Sequence, residues 1–358
     1  MGGRVTIQDI ADELGLSRNT VSKALNDSEG IAEATRKRII EKAIEMGYRQ
    51  FAFTNFSKEY LASRGLQPSV AAAGDKTEIA VFSTTFINTQ HFASLMLDAF
   101  QREISRLGYT LNAHRITSDD LENLTLPMTF DQSRVAGIIC VEVFDHPYAE
   151  MLCDLDIPTL FVDSPARMHG EALRSDELLM DNCTQSARLI NEMIDAGVTE
   201  IGFVGNWEHC QSFLERYAIF RSAMGLADLP VNKKWAIREN RAAGMKAKIA
   251  KLDKLPKLFF CANDFVALDL LQALRELGYD VPRDVAVAGF DDAAESRRCV
   301  PTLTTIHIHT QIMAFTAVSL LCSRIKEPWL DFRRVYTQTD LIYRDSTSTL
   351  IPIDRQEE

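Results

Sequence analysis

The chain has 358 residues, 46% of them hydrophobic, which is enough for two or three globular domains. A formal net charge of −11 excludes a protein that coats nucleic acid with positive charge, so any DNA contact must be confined to a local patch. The sequence shows neither an apolar secretion signal nor a run of the roughly 20 apolar residues that cross a membrane, and seven widely spaced cysteines favour reduced thiols, so we expect a cytoplasmic protein.

The first residues carry the pattern of a short helix that ends at a glycine. Apolar side chains recur with the spacing i, i+3, i+4 and i+7 of one helix face: Ile7, Ile10, Ala11 and Leu14. Thr6 precedes this stripe as a predicted N-cap. Gly15 follows the stripe, where a residue in the left-handed conformation commonly ends a helix.

A second predicted helix follows the glycine, with Ser17 as its N-cap and an end near residue 25. Three apolar residues form its inner face: Val21, Ala24 and Leu25. Five polar residues lie on its outward side: Arg18, Asn19, Thr20, Ser22 and Lys23. Two short helices joined across a glycine turn, the second presenting polar residues at its N-terminal end, are typical of the helix-turn-helix that reads a DNA major groove.

The outward residue types match the edges of base pairs. An arginine can donate two hydrogen bonds to guanine, an asparagine can pair with adenine, and a threonine methyl group can contact the methyl group of thymine. The alternative interpretation is a pair of surface helices with solvated polar residues. Caps, turn glycine, apolar stripe and polar face all agree, which favours DNA binding.

Residues 31–48 predict a third helix with an apolar side and with Gly47 at its end. Its basic residues Arg36, Lys37 and Arg38 either contact phosphates or are simply solvated, and the two interpretations stay open. Residues 1–49 contain eight basic and eight acidic side chains, so their net charge is zero. The placement of charge, rather than its sum, must therefore favour DNA.

Three stretches carry a family resemblance: Val5-Thr6-Ile7-x-Asp9-Ile10-Ala11, Gly15-Leu16-Ser17-x-x-Thr20-Val21-Ser22-Lys23-Ala24-Leu25-Asn26, and Thr35-Arg36 followed by Met46-Gly47-Tyr48. They resemble the headpiece of lactose-repressor (LacI)-type bacterial transcription regulators. The resemblance implies that Arg18 and Asn19 read bases and that Lys23 also contacts the operator. The residues predicted to contact DNA are Thr6, Ser17, Arg18, Asn19, Thr20, Ser22, Lys23, Asn26 and Thr35.

The segment after Tyr48 departs from that family. The family continues with a Pro-Asn pair and a hinge helix whose leucine wedges into the minor groove, whereas residues 49–63 of this chain contain no proline. Either Phe56 or Leu61 acts as the wedge, or the aromatic residues of this segment pack the headpiece onto the body. We assign residues 1–49 to the headpiece and residues 50–77 to a hinge and linker.

From residue 78 onward, short apolar runs alternate with amphipathic helices, which predicts parallel sheets covered on both faces. The first set contains apolar runs at 79–83, 110–114, 136–141 and 158–162, and a helix over about 92–107. The second contains runs at 201–204, 258–261 and 285–289, and helices over about 183–196, 211–224 and 265–277. The predicted fold is therefore α/β, with an all-α headpiece followed by two doubly wound lobes over residues 78–345 and a tail over 346–358.

This body also resembles the same family, whose regulatory domain has a periplasmic-binding-protein fold. Three motifs carry much of the resemblance: Ile157-Pro158-x-Leu160-Phe161-Val162-Asp163, Cys261-Ala262-Asn263-Asp264 and Gly289-Phe290-Asp291-Asp292. The resemblance implies a return to the first lobe after about Ile308 and a small effector in the cleft. The residues predicted to line that cleft are His91, Phe92, Asp163, Arg216, Asn263 and Asp291. For any one of these residues, helix capping or a turn is the alternative role.

These observations predict a sequence-specific transcription regulator, a repressor, that binds an operator as a homodimer. The tail lacks the heptad repeat that would build a tetramer. Carboxylates at strand ends, with an arginine from a neighbouring helix, favour a neutral carbohydrate as effector, with a nucleobase or nucleoside second. Because no catalytic motif is evident, we expect neither enzymatic activity nor a cofactor or metal. A solute-binding protein and an α/β enzyme with a DNA-binding module are the rival classes.

Overall fold

The structure, a computed structural model, describes residues 7–25, 31–32, 34–36, 38–39, 42, 76–85, 92–168 and 172–351. The chain divides into two compact units, Met1–Ala72 and Ala73–Glu358, and each is described by itself. Most of the predicted third helix and the whole aromatic hinge segment lie outside the described residues.

The first unit contains the predicted helix-turn-helix, with α1 at Ile7–Leu14 and α2 at Arg18–Leu25. Gly15 has a φ of +64°, and the N–H of the next residue, Leu16, donates to the Ala11 carbonyl at 2.9 Å. This bond closes a Schellman motif, which requires a left-handed residue at the glycine position. Four side chains between the helices are fully buried: Ile10, Ala11, Val21 and Ala24. The predicted turn is thus confirmed, and so is the inner face of α2 at Val21 and Ala24, while the side chain of Leu25 lies outside the described residues.

The first lobe of the second unit is a six-stranded, all-parallel sheet in the order β11-β5-β4-β3-β1-β2. Its strands are β1 (Glu78–Ser83), β2 (Thr110–Arg115), β3 (Val135–Val141), β4 (Thr159–Val162), β5 (Asp176–Met180) and β11 (Arg334–Thr337). Its helices are α3 (Phe92–Arg106), α4 (Ser118–Asn123), α5 (His146–Cys153) and α10 (Thr310–Lys326). Strands β1, β3 and β4 are buried along their whole length, which explains why their sequences are mainly apolar.

The second lobe is a four-stranded parallel sheet in the order β7-β6-β8-β9. Its strands are β6 (Ile201–Val204), β7 (Ala236–Ile237), β8 (Leu258–Cys261) and β9 (Ala286–Ala288). Its helices are α6 (Thr184–Asp195), α7 (Gln211–Leu226), α8 (Ala242–Ile249) and α9 (Asp264–Glu276). In the body of the chain, the glycines that follow helices at positions 108, 197 and 278 all have φ between +83° and +85°, the conformation of a C-terminal cap. Two doubly wound lobes are thus confirmed.

The chain passes between the lobes three times within the described residues. It leaves the first lobe after β5, returns after β10 (Thr305–Ile308) as predicted, and crosses again from β11 to β12 (Thr339–Ile342). β10 and β12 pair antiparallel beside the second lobe. These passes bring the carboxyl ends of the strands of both sheets to face one another, which is where such folds bind ligands.

The second lobe extends past the predicted boundary at residue 345. Ser346 and Thr347 are buried, and the Ser346 hydroxyl donates to the Val287 carbonyl at 2.6 Å. Residues 346–351 therefore belong to the lobe rather than to a tail, because their polar groups complete bonds inside it. Among the described helices, none combines the length and the apolar character needed to cross a membrane.

Candidate functional site

The outward side of α2 carries the residues predicted to read DNA. The side chains of Arg18, Asn19 and Lys23 are exposed, whereas Thr20 is partly buried. The Thr20 N–H donates to the Ser17 hydroxyl at 3.1 Å, which confirms the predicted N-cap. The Ser17 and Thr20 hydroxyl oxygens are also 2.8 Å apart, so both residues belong to the cap as well as to the outward face.

The other residues predicted to contact DNA are either partly buried or outside the described residues. Ser22 and Thr35 are partly buried, and Thr6 and Asn26 lie outside the described residues. Arg18, Asn19 and Lys23 are therefore the exposed polar group that the structure brings together on the described part of α2. Their donors and acceptors point away from the inner face, as groove recognition requires.

Two arginines of the third helical segment have a role that neither sequence interpretation included. The Arg38 guanidinium donates to the Leu14 carbonyl at 3.1 Å, and the Arg36 guanidinium donates to the Ala24 carbonyl at 3.2 Å. Both carbonyls belong to the last turn of a helix, where free acceptors and the negative end of the helix dipole favour a cation. These arginines thus brace α1 and α2 from their C-terminal ends.

A cleft of about 450 Å³ lies between the two lobes of the body. The first lobe contributes residues that follow β1, β3 and β4, and the second contributes α7, the start of α9 and the segment after β9. Of the six residues predicted to line the cleft, four do so: Asp163, Arg216, Asn263 and Asp291. His91 lies outside the described residues; Phe92 begins α3, and its side chain is outside them as well.

Asp163 joins the two lobes directly. It follows β4 with a left-handed φ of +58°, and its carboxylate accepts the N–H of Ser212, in the first turn of α7, at 3.1 Å. The N–H of Ser164 donates to the same oxygen at 2.9 Å. Burial raises the pKa of Asp163, although these N–H groups and Arg216 oppose the rise. A carboxylate at a helix N-terminus is favourable, so Asp163 is a cap and a cleft residue at once.

Arg216 is 2% exposed and is fixed from several sides. Its Nε donates to Asn182 Oδ1 at 2.8 Å, and its Nη1 donates to the Ala262 carbonyl at 2.6 Å. Its guanidinium lies 3.5 Å from the centre of the Phe290 ring, a cation–π contact, and 3.5 Å from Asp291 Oδ1. The guanidinium is therefore part of the floor of the cleft.

Asn263 and Asp291 come from the carboxyl ends of β8 and β9. Asn263 is the N-cap of α9 and accepts the Val266 N–H at 2.9 Å, so the capping role holds together with its place in the cleft. Asp291 has a φ of +119°, and its side chain remains 22% exposed. Burial raises the pKa of Asp291 to about 7; Arg216 opposes this rise, while the Glu142 and Asp163 carboxylates add to it.

Glu142 is a carboxylate of the cleft that the sequence interpretation missed, as is Asp269 of α9. It follows β3 with a left-handed φ of +56°, and its carboxylate accepts the Thr85 hydroxyl at 2.9 Å. Val141 is in register with Val162, so Glu142 and Asp163 leave adjacent strands side by side. The available signal was the one that found Asp163: an acidic residue directly after a buried strand.

Aromatic side chains form much of the remaining lining of the cleft: Phe144, His209, Phe213 and Phe265. The His209 ring contacts Phe144 edge-on at 4.9 Å and Phe213 at 5.5 Å between ring centres. The Ser212 hydroxyl is 3.1 Å from the Met180 sulfur, and burial raises the pKa of the Cys210 thiol well above its ordinary value. The cleft thus offers flat apolar walls and hydrogen-bond acceptors, with neither hydroxyl nor thiol activated as a nucleophile.

Two family models match the chain in the order of its domains. Residues 6–50 match the model described as bacterial regulatory proteins of the lacI family. Residues 190–347 match the model described as a periplasmic binding protein-like domain. The first match covers the helix-turn-helix, and the second covers most of the second lobe together with β11 and β12.

Curated relatives match over almost the whole chain. A protein of Vibrio parahaemolyticus named HTH-type transcriptional repressor PurR is 29% identical over 96% of this chain and 99% of its own length. A protein of the same name from Histophilus somni is 27% identical over 96% of this chain and 99% of its own length.

Solved structures show the same fold at lower identity. A CelR regulator in complex with cellobiose aligns with a TM-score of 0.65 at 20% identity, covering 96% of this chain and all of that one. A lac repressor dimer bound to operator and an anti-inducer aligns with a TM-score of 0.63 at 19% identity, covering 96% of this chain and 99% of that one.

Proposed function

The chain belongs to the LacI family of bacterial regulatory proteins, and from this premise we propose that it is a cytoplasmic repressor whose affinity for its operator is set by a small molecule in the cleft. One observation carries the proposal. The same chain holds a capped helix with exposed Arg18, Asn19 and Lys23, and a cleft between two lobes whose polar lining faces a cavity of about 450 Å³. The first feature suits a base-pair edge, and the second suits a small ligand.

We propose a nucleobase or nucleoside as the effector, which reverses the order expected from the sequence. Four carboxylates line the cleft, those of Glu142, Asp163, Asp269 and Asp291, and a heterocycle offers N–H donors to such acceptors. The phenyl rings of Phe144 and Phe213 give flat walls against which a planar ring can pack. The relatives that share nearly the whole chain are named HTH-type transcriptional repressor PurR.

A carbohydrate is the second candidate. Two proteins of the same fold were solved with sugars, the CelR regulator with cellobiose and a LacI-family regulator of Enterococcus faecium with ribose. Carboxylates and a guanidinium also pair well with sugar hydroxyls. The two candidates differ in the donors they bring, which makes them separable by direct binding.

The mechanism we propose is linkage between the cleft and the DNA-binding unit. The effector binds one arrangement of the lobes more tightly, and this preference appears at the operator as a coupling free energy of about 1 to 3 kcal/mol. The repressor acts as a homodimer on a near-palindromic site, as suits two identical headpieces. A dimer by sedimentation at micromolar concentration is expected, and a tetramer would contradict the assembly.

The test uses the full-length chain. A preferred operator is first selected from a random DNA library, and its affinity is then measured with purine bases, their nucleosides, ribose and cellobiose. We expect one base or nucleoside to change operator affinity by roughly 5- to 150-fold and the sugars to change it little. If only a sugar changed the operator affinity, the effector would be a carbohydrate rather than a nucleobase or nucleoside. If the protein showed no DNA sequence preference, or if it converted the bound ligand into a product, the proposal that it is a transcription regulator would be wrong.

A further inference from the structure

A chain of hydrogen bonds leads from the cleft to the junction of the two lobes. The Arg216 guanidinium lines the cleft 3.5 Å from Asp291, and its Nε donates to Asn182 Oδ1 at 2.8 Å. The side-chain amide of Asn182 donates in turn to Glu215 Oε2 at 2.8 Å. Asn182 is fully buried, so its oxygen and its nitrogen both need these partners. The cleft guanidinium is thereby connected to a carboxylate that lies behind the described lining.

The other oxygen of Glu215 is bonded from both lobes. Oε1 accepts the Gln211 side-chain amide, from the same helix α7, at 3.0 Å, and it accepts the Tyr336 hydroxyl, from β11, at 3.0 Å. Arg334 of β11 also approaches this oxygen, at 3.9 Å. Strand β11 belongs to the first-lobe sheet, whereas α7 belongs to the second lobe. The contacts of Glu215 with Tyr336 and Arg334 therefore depend on the angle between the lobes.

The partners of Glu215 lie beside two of the passes between the lobes. Asn182 is in the pass from β5 to α6, and Tyr336 is next to the last residue of β11, after which the chain crosses to β12. The two passes are bonded to each other, because the Asp181 N–H donates to the Thr337 carbonyl at 2.7 Å and the Thr339 hydroxyl donates to the Asp181 carbonyl at 3.0 Å. A change in the lobe angle must act on these connecting segments, so Glu215 is bonded where such a movement is concentrated.

We propose that Glu215 is a positioning residue that couples the effector to the arrangement of the lobes: one oxygen orients Arg216 through Asn182, and the other holds the first lobe through Tyr336. This inference rests on the proposed control of operator binding by an effector. An effector that moves the guanidinium also moves the Asn182 amide, and with it the bond between α7 and β11. A carboxylate suits this place because it only accepts, whereas the three groups bonded to it all donate.

The experiment separates the binding of the effector from its effect on the operator. The probes are purine bases, their nucleosides, ribose and cellobiose, tested on the full-length protein with its selected operator. Glu215→Gln keeps the size of the side chain but turns one acceptor into a donor, which meets another donor whichever way the amide lies. A probe that acts on wild-type protein should bind this variant within about threefold of the wild-type affinity, measured by calorimetry, but change its operator affinity by less than about twofold.

Two further variants complete the comparison. Tyr336→Phe removes the first-lobe hydroxyl and leaves the bond between Glu215 and Asn182 in place, so it should reduce the operator response at least about twofold. It decides the question if Glu215→Gln does not fold. Glu150→Gln, at an exposed glutamate of the first lobe, should keep the wild-type affinity and the wild-type response.

The outcomes distinguish this inference from the proposed function. A full operator response in both Glu215→Gln and Tyr336→Phe overturns the role of Glu215 and leaves control by an effector standing. Loss of probe binding in Glu215→Gln together with a full response in Tyr336→Phe assigns Glu215 a structural role and also overturns the inference. If no probe changes the operator affinity of wild-type protein, the proposed control by an effector is wrong, and this inference is overturned with it.

Discussion

The outward face of α2 and the cleft between the lobes both present polar side chains, but the structure supports them in opposite ways. Arg18, Asn19 and Lys23 project into solvent from a helix whose own cap and buried inner face hold it in place. In the cleft, Arg216 and Asp163 are themselves buried and carry bonds that join distant parts of the chain. Recognition and stability are therefore separable on α2 and inseparable in the cleft.

The largest expected effect tests whether ligand recognition and stability depend on the same residues in the cleft. Arg216→Met removes the bonds to Asn182 and Ala262 and leaves the Asp291 carboxylate without its cation, so we expect a loss of about 3 to 5 kcal/mol of unfolding free energy together with loss of effector binding. Arg221→Met, at an exposed arginine of the same helix, should change little. Chemical denaturation measures the stability of both variants, and calorimetry measures their effector binding. Full stability in Arg216→Met would show that cleft and fold are separable after all.

The next effect tests whether DNA recognition and stability depend on different residues in the DNA-binding unit. Arg18→Ala should cost about 1 to 3 kcal/mol of operator binding and relax the preference at one base pair of each half-site, with an unchanged melting temperature. Arg38→Ala is the matched contrast, because Arg38 caps α1 through the Leu14 carbonyl. It should lower the stability of the DNA-binding unit and leave base preference intact. Selection from a random library would contradict this division if both variants changed preference alike.

A smaller effect concerns pH and Asp291, whose pKa is raised to about 7 in the folded chain from an ordinary value of 3.8. Because the folded state holds this proton more tightly, the contribution of Asp291 to stability is full below about pH 4 and is lost as the pH rises through about 7. Asp291→Asn lacks the titrating group, so the stability advantage of wild-type protein over it should shrink across that interval. Parallel melting-temperature curves would contradict the assignment.

The smallest effect concerns a bond between the lobes outside the cavity. The Tyr336 hydroxyl, on β11, donates to Glu215 of α7 at 3.0 Å, and both groups are near the surface. Tyr336→Phe should therefore cost no more than about 1 kcal/mol of stability and weaken effector binding two- to threefold, roughly. Tyr279→Phe, at an exposed tyrosine of the second lobe, is its control. Calorimetry measures the effector affinity of both variants. Equal affinities would show that the bond between Tyr336 and Glu215 does not contribute to effector binding.

Sequence reasoning succeeded where structure is decided within a few residues. The glycine turn at Gly15, the cap at Ser17 and the buried strands all follow from local spacing and local backbone chemistry, and so does Asp163 at a strand end. Glu142 follows the same local rule and could have been predicted from it, whereas its position beside Asp163 depends on the register of β3 with β4. Strand register is a property of distant segments, which one sequence does not display.

Strand β5 shows the physical limit of that reasoning. It begins with Asp176 and Glu177, both buried, which contradicts the apolar pattern expected of a central parallel strand. The Asp176 carboxylate accepts bonds from Arg324 and Arg333, about 150 residues later, and Arg334 donates to Glu177 at 2.9 Å. These charges are tolerated because their partners arrive from β11 and the helix before it, which are also elements that the sequence pattern did not predict.

The three passes between the lobes also impose an order on synthesis. The four strands of the second-lobe sheet are contiguous in the chain between β6 and β9, whereas the first-lobe sheet needs β11, which is made after all of them. Helix α10, which packs on β3, β4 and β5, is equally late. A nascent chain stopped before Thr310 thus holds all four strands of the second-lobe sheet, but its first-lobe sheet lacks β11 and the cover of α10. We therefore expect prematurely terminated chains of this protein to aggregate through that exposed apolar face.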